Sequence, residues 1–307
     1  MKILFMGTPN IAAECLTALC DAGMNVVGAV SQPDRPKGRG HKLQPTEVKS
    51  AAEAAGIPVF QPETIKNGEL MPVLDELKPD LIAVVAYGKI LPEYVIDYPP
   101  KGCINVHASL LPKLRGAAPV QWAVINGDKE TGVTTMLMDK GLDTGDMLLC
   151  EKTQIGEYET SDELFERITE IGARLLIKTI REIDSIKPIP QEHDKHTYAP
   201  MITKETAHID WSKTTAEISK FICGMNSRPM AYCVYKGENV KIISAVKGGA
   251  ANGENGEIIG FTKGKGLQIK TADGSIYVTC AQFPNSKRMS IEEYLRGHEI
   301  EYGTILK

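Results

Sequence analysis

The chain contains no run of about 18 consecutive apolar residues, so nothing in it reads as a membrane-spanning helix. Its opening run, Met1-Lys-Ile-Leu-Phe-Met6, is too short, and too abruptly followed by Gly7-Thr-Pro-Asn10, to read as a secretory signal. Paired cysteines are missing too. The seven present, at positions 15, 20, 103, 150, 223, 233 and 280, are odd in number, dispersed, and never spaced C-x-x-C. That speaks against a disulfide framework and against structural zinc; reduced thiols in a cytoplasmic protein are the natural expectation. No G-x-G-x-x-G and no phosphate-loop lysine follows the first apolar run, so a nicotinamide or nucleotide site is not indicated there, and Gly7 is expected to serve turn and packing. A large excess of one charge is also lacking. The net charge of −4 argues against indiscriminate coating of nucleic acid. Its distribution is mildly uneven: residues 207–307 carry 13 Lys and Arg against 10 Asp and Glu, a net of +3, which leaves −7 for residues 1–206. Such a tail permits a polyanion contact.

What is present is an alternation of apolar runs with helical periodicity. At 307 residues the chain has room for two cores. Residues 2–6, 26–30, 80–86, 102–107 and 132–138 read as strands, and 80–86 is continuously apolar after its first residue, as strands covered on both faces are. Between them, residues 11–19 place apolar side chains at helical spacing with Gly23 beyond their end. Thr46 is expected to N-cap a helix that reaches Ala55 before Gly56. A longer helix, expected to be capped by Ser161, carries Leu164, Ile168, Ile171, Leu175 and Ile183 on its apolar side. Strands interleaved with helices predict an α/β class, a Rossmann-like, doubly wound and mainly parallel sheet. The pattern breaks near Lys187-Pro-Ile-Pro190, and the stretch to Thr206 reads as a linker lying along a surface. A helix over 214–223 follows, then short β-runs at 232–235, 240–246, 256–261, 267–271 and 275–280, separated by Gly and Asn turns. These predict a smaller C-terminal OB-like β-barrel. The expected organisation is a first domain over 1–189, a linker over 190–206 and a second domain over 207–307.

The chemistry-bearing residues gather between 105 and 146. The run Gly102-Cys-Ile-Asn105-Val-His107 ends where polar residues begin, and Asn105 and His107, two apart on a strand, share a face. Asp143 stands in the glycine-bounded loop Asp139-Lys-Gly-Leu-Asp143-Thr-Gly145 after the next strand. Loops at strand ends are where open α/β sheets bind ligands. Each residue alone has an ordinary structural explanation: a core histidine, a turn asparagine, an aspartate bonding its own loop. Their conjunction beside the turn Ser109-Leu-Leu-Pro112 points instead to one cleft holding an amide, an imidazole and a carboxylate. A second segment, Gln32-Pro-Asp-Arg35-Pro-Lys37-Gly-Arg39-Gly-His41-Lys42, is a strand-to-helix loop longer than the usual roughly two to six residues. Its four cations and two glycines fit either a solvated excursion or a basic arm that closes on phosphates, with Arg39 best placed to reach a ligand.

At Asn105-Val-His-Ala-Ser-Leu-Leu-Pro112, with Leu142-Asp143-Thr-Gly145 following, the sequence resembles the formyltransferases that use 10-formyltetrahydrofolate. The runs Gly7-Thr-Pro9, Gln32-Pro-Asp-Arg-Pro36, Gly38-Arg-Gly40, Val85-Ala-Tyr-Gly-Lys-Ile-Leu-Pro92 and Arg115-Gly-Ala-Ala-Pro-Val-Gln121 extend the resemblance over nearly the whole chain, toward members whose acceptor is methionyl-tRNA. One departure is Ala108, where glycine is common in the family. The resemblance implies a formyltransferase fold, 10-formyltetrahydrofolate as co-substrate with no metal, and initiator methionyl-tRNA as partner. It implies a catalytic set of Asn105, His107 and Asp143, and a folate site lined by Ser109, Leu110, Leu111 and Pro112. Lys89, Ile90 and Leu91 with Lys140, Gly141 and Leu142 would hold the pterin, and Arg35, Lys37, Arg39 and Lys42 would engage the acceptor end of the tRNA. A monomer free of membranes is expected. In the implied reaction the methionyl amine attacks the formyl carbon while Asn105 and His107 donate to the developing oxyanion. Asp143 would orient the imidazole or accept a proton. Two rivals remain: a formyltransferase for a sugar amine or glycinamide ribonucleotide, which gives the basic loop and the β domain no use, and a non-catalytic tRNA-binding module, which leaves the three-residue constellation unexplained.

Overall fold

The computed structural model describes residues 1–37 and 42–307. They gather into two compact units, each assembled from separate stretches: Met1–Gly116, Gly132–Thr153 and Glu166–Tyr198 in the first, Ala117–Thr131, Gln154–Phe165 and Ala199–Lys307 in the second. The expected linear division at 189 and 207 cuts across both. Two pieces well before residue 190 pack within the second unit, and residues 190–198 pack within the first.

In chain order the elements are β1 (Ile3–Gly7), α1 (Asn10–Asp21), β2 (Val26–Val30), β3 (Arg35–Lys37), β4 (Lys42–Gln44), α2 (Glu47–Ala54), β5 (Val59–Phe60), α3 (Met71–Leu77), β6 (Leu81–Val85), α4 (Glu93–Ile96) and β7 (Cys103–His107). They continue through α5 (Pro119–Ile125), β8 (Glu130–Leu137), β9 (Met147–Gln154) and α6 (Ser161–Glu182). The sheet of the first unit has the order β5-β2-β1-β6-β7-β8-β9. Its pairs from β5 through β7 are parallel, whereas β8 runs antiparallel to β7 with His107 opposite Thr134. This is the mainly parallel α/β sheet that the alternating pattern predicts. Every residue of β1 and β6 is buried, which explains their unbroken apolar sequences.

From β1 the chain builds outward through β2 to β5, then returns to the other side of β1 for β6 and β7. The reversal between β1 and β6 is the switch point beside which open sheets bind ligands. Gly7 ends β1 there. A Cβ on it would lie 2.6 Å from the Ala12 Cβ and 2.8 Å from the Val85 carbonyl, so its role is the close packing and turn expected of it. Thr46 caps α2 as expected, its hydroxyl accepting from the Lys49 N–H at 3.1 Å. Residues 35–37 and 42–44, expected to belong to a loop, are strands. β3 and β4 pair as a ribbon, with Arg35 opposite Gln44 and Lys37 opposite Lys42. At its base the Asp34 carboxylate accepts from Gln61 Nε2 (2.7 Å) and Lys49 Nζ (2.6 Å), which holds its pKa below the ordinary value.

The second unit contains α5, α7 (Thr215–Gly224), β10 (Tyr232–Tyr235), β11 (Glu238–Lys247), β12 (Ile258–Thr262), β13 (Gly266–Lys270), β14 (Ser275–Gln282), β15 (Met289–Ser290) and α8 (Ile291–Tyr294). Its strands form an antiparallel sheet ordered β10-β11-β14-β13-β12, with β15 on β14. This is the small, curled, OB-like domain that the short β-runs predict. Residues 303–307 close its seam. Lys307 exchanges backbone hydrogen bonds with Val234 of β10, while Gly303, Thr304 and Leu306 bond to Ile258 and Gly256 at the start of β12. Leu306 is buried in the core with Ile258, Ile269 and Val278. Thr214 and Glu217 form a capping box at α7.

The start of α6 differs from expectation. Thr160, not Ser161, caps it: its hydroxyl accepts from the Glu163 N–H, and the Glu163 carboxylate accepts from the Thr160 N–H at 2.9 Å. The S/T-x-x-E spacing belongs to Thr160, and the Ser161 hydroxyl instead donates to Asn226. All seven cysteines are free thiols. Burial pushes the Cys15, Cys103 and Cys233 thiols up to about 12, so these are inert core residues. No described helix is long and apolar enough to cross a membrane.

Candidate active site

Strand registers set the site. Gly7 of β1 lies opposite Val85 of β6, and Val84 of β6 opposite Asn105 of β7. The chain therefore leaves β1, β6 and β7 at one end of the sheet, and His107 is the last residue of β7. Its imidazole is buried, with Nε2 2.9 Å from the Leu114 carbonyl. A carbonyl only accepts, so Nε2 carries the proton and Nδ1 is the ring atom left open to proton exchange. Nδ1 faces Asp143 Oδ2 at 3.6 Å, a separation that is electrostatic rather than a hydrogen bond.

Asp143 is delivered by the β8–β9 connection, where Leu137 N–H donates to the Asp146 carbonyl. It adopts a left-handed backbone (φ 53°), and its Oδ2 accepts from the Gly116 N–H at 2.8 Å. Gly145 makes the tight return possible. A Cβ there would lie 1.8 Å from the Leu137 carbonyl oxygen. Asn105 stands on the His107 face of β7, half-buried, and its side chain makes no hydrogen bond among the described residues. The imidazole and the carboxylate thus meet, with an unengaged amide two residues up the same strand.

The other expected residues divide. Ser109 is fully buried and its hydroxyl donates to the Lys113 carbonyl at 2.6 Å, while Leu111 is also buried. Leu110 packs toward Gly132, and the Leu111–Pro112 bond is cis. The 109–112 turn is laced to β8 by Thr134, whose hydroxyl donates to the Ser109 carbonyl and accepts from the Leu111 N–H. Lys89 reaches the Glu63 carbonyl and Leu91 is buried, but Ile90 is 84% exposed and Leu142 56% exposed. Lys140 pairs with Glu93 at 2.9 Å, linking the 138–146 loop to the start of α4, and Gly141 N–H bonds to Asp139. The Lys140–Glu93 pair ties the 138–146 loop to α4, and Ile90 and Leu142 each leave an aliphatic side chain bare.

A cleft of about 450 Å³ opens at the switch point itself, between Thr8 and Pro9 after β1, Gln32 and Arg35 after β2, and Ala86 to Lys89 after β6. Arg35 is exposed on its wall, and Lys37 and Lys42 pair across the ribbon beside it. Arg39 lies outside the described residues. Sequence reasoning missed Gln191 and Arg115, which lie buried behind the Asp143 loop and bond to each other. Among the described residues no group of three or more His, Cys, Asp or Glu side chains stands together as a metal ligand set.

An open α/β sheet carrying a buried imidazole–carboxylate pair and a free amide at its carboxyl ends defines an enzyme-like site suited to acyl-type group transfer. The comparisons narrow that class. Residues 1–180 match the family model described as formyl transferase, and residues 201–299 match its C-terminal domain. The chain belongs to the formyl transferase family. It is 48% identical over 309 residues to a methionyl-tRNA formyltransferase of Alkaliphilus oremlandii (100% of this chain, 99% of that one) and 46% identical to its namesake in Desulforamulus reducens (100% and 98%). Among solved structures it is similar in fold to WlaRD, a sugar 3N-formyl transferase crystallised in the presence of dTdp and 5-N-Formyl-THF. That likeness has a TM-score of 0.66 at 21% identity, covering 94% of this chain and 99% of that one.

Proposed function

We propose that the protein transfers the formyl group of 10-formyltetrahydrofolate to the α-amine of initiator methionyl-tRNA, giving N-formylmethionyl-tRNA for translation initiation. Full-length relatives of that name support the acceptor. The observation that carries the chemistry is His107 Nδ1 facing Asp143 Oδ2 at 3.6 Å with Asn105 on the same face of β7.

In this reading Asn105 donates its amide N–H to the formyl oxygen as negative charge develops there, an interaction made mainly in the transition state. His107 takes part through Nδ1, since Nε2 is held by Leu114. Asp143 orients the ring and offsets the positive charge it takes on during transfer, and the attacking amine gives up its proton at this pair as the folate nitrogen gains one. The exposed faces of Ile90 and Leu142, with peptide groups of their loops, fit a flat, partly polar pterin ring. Ser109 and Leu111 shape that wall from behind, because their side chains are already buried. The acceptor end enters by the switch-point cleft, which Arg35 lines, and Arg35, Lys37, Arg39 and Lys42 are the cations that meet its phosphates. Residues 207–307 serve as the OB-like tRNA-binding domain, and the protein works as a cytoplasmic monomer.

The test supplies labelled formyl donor with charged initiator tRNA, charged elongator tRNA, free methionine or an amino sugar nucleotide. Label should enter charged initiator tRNA far faster than any other acceptor. Transfer to the sugar, or tRNA binding without turnover, would replace this reading.

A further inference from the structure

We propose that Gln191 is a positioning residue for the His107–Asp143 pair; the inference rests on reading that pair as the reacting centre. Gln191 lies in the proline-bearing stretch after α6, where Ile189 pairs by two backbone hydrogen bonds with Met147 at the start of β9. That pairing sets the Gln191 side chain, 4% exposed, behind the Asp143 loop. All four of its hydrogen-bonding positions are used. Nε2 donates to the Asp143 carbonyl (3.0 Å) and the Gly145 carbonyl (2.7 Å), and Oε1 accepts from Arg115 Nε (3.1 Å) and Nη2 (2.6 Å).

The two ends of this one amide hold the two segments that fix the pair. On one side is the loop in which Asp143 keeps its left-handed backbone, a conformation that needs surrounding support in a non-glycine residue. On the other is Arg115, 3% exposed, whose neighbours contact both reacting groups: the Leu114 carbonyl bonds His107, and the Gly116 N–H bonds the Asp143 carboxylate. The Nδ1–Oδ2 separation of 3.6 Å is thus set from behind by Gln191, which has no position left to bind substrate. A loop let go by about 1 Å is expected to cost on the order of 100-fold in rate.

Gln191→Glu is the test. A carboxylate keeps both acceptors toward Arg115 but loses the two donors and faces two carbonyl oxygens. Its kcat should fall about 100-fold with KM for both substrates within about threefold of wild type. In ligand-free protein the ¹⁵N resonances of the His107 ring should move. Gln191→Met, similar in length and without charge, should give the same split. In the wild type the Gln191 side-chain amide protons should exchange slowly, as two buried donor bonds require, and rapid exchange would remove the geometry on which the proposal stands even if both variants fail to fold. An unchanged kcat, unmoved His107 resonances, or rapid exchange of that amide overturns the proposal. A wild type inactive on charged tRNA overturns the proposed function instead, while the resonances, recorded without substrate, still decide the positioning.

Discussion

Replacing Asn105 by alanine should separate chemistry from stability. The side chain is half-buried in the middle of β7 and has no hydrogen-bond partner among the described residues. Truncation therefore leaves no protein donor or acceptor unpaired, and the change in unfolding free energy should stay within about 1 kcal/mol. The rate should respond quite differently. An oxyanion donor lost from the transition state is worth about 100- to 1000-fold in kcat, or roughly 2.7–4 kcal/mol of barrier. The assay is initial-rate formylation of charged initiator tRNA, with urea unfolding of the same preparation and tRNA binding measured alongside. Asn105→Asp keeps the shape and replaces the donor by an anion, so it should fall at least as far. A variant that keeps its rate within about fivefold would refute the reasoning, given the loss expected of a donor. So would an unfolding midpoint that collapses in parallel with activity.

Gly145→Ala should lower kcat while leaving tRNA binding intact, because its Cβ would lie 1.8 Å from the Leu137 carbonyl oxygen and push the Asp143 loop outward; unchanged kinetics would show that the loop yields freely. Asp34 has its pKa lowered by the Gln61 and Lys49 hydrogen bonds, so its contribution to stability is present above the ordinary value of 3.8 and lost as pH falls through the lowered one. Wild type should accordingly outlast Asp34→Asn in urea near neutrality, with the gap closing in acid below 3.8; a gap that widens there would reverse the sign. Leu306→Ala should cost about 2–5 kcal/mol of unfolding free energy by creating a cavity at the barrel seam. A loss under about 0.5 kcal/mol would mean the seam collapses around the gap or contributes little.

Much of this architecture is legible in the chain, and the exceptions share a cause. Continuous apolar runs such as that of β6 mark strands buried on both faces, and Thr46 and Thr214 mark helix starts, because these signals are local. His107 and Asp143 could be paired in advance because one ends β7 and the other stands in the loop after β8, the strand beside it. Features made by distant partners leave weaker traces. β3 and β4 are three residues each, include a proline, and exist only through pairing with each other. Gln191 sits between proline and charged residues, a setting that reads as solvated linker, yet contacts with residues 46 and 48 positions away in Gly145 and Asp143 and with Arg115 bury it. Residues 303–307 look like an ordinary tail until the two edges they join are seen together. Segments 117–131 and 154–165 pack in the second unit by contacts that no local periodicity announces.

The most direct measurement is a crystal structure of the protein with a non-hydrolysable analogue of 10-formyltetrahydrofolate. The formyl oxygen should lie about 3 Å from Asn105 Nδ2, the distance at which a donor stabilises a nascent alkoxide, with the formyl carbon turned toward His107 Nδ1 and the pterin against Ile90 and Leu142. A formyl group bound out of reach of Asn105, with the His107–Asp143 pair facing something else, would contradict the account.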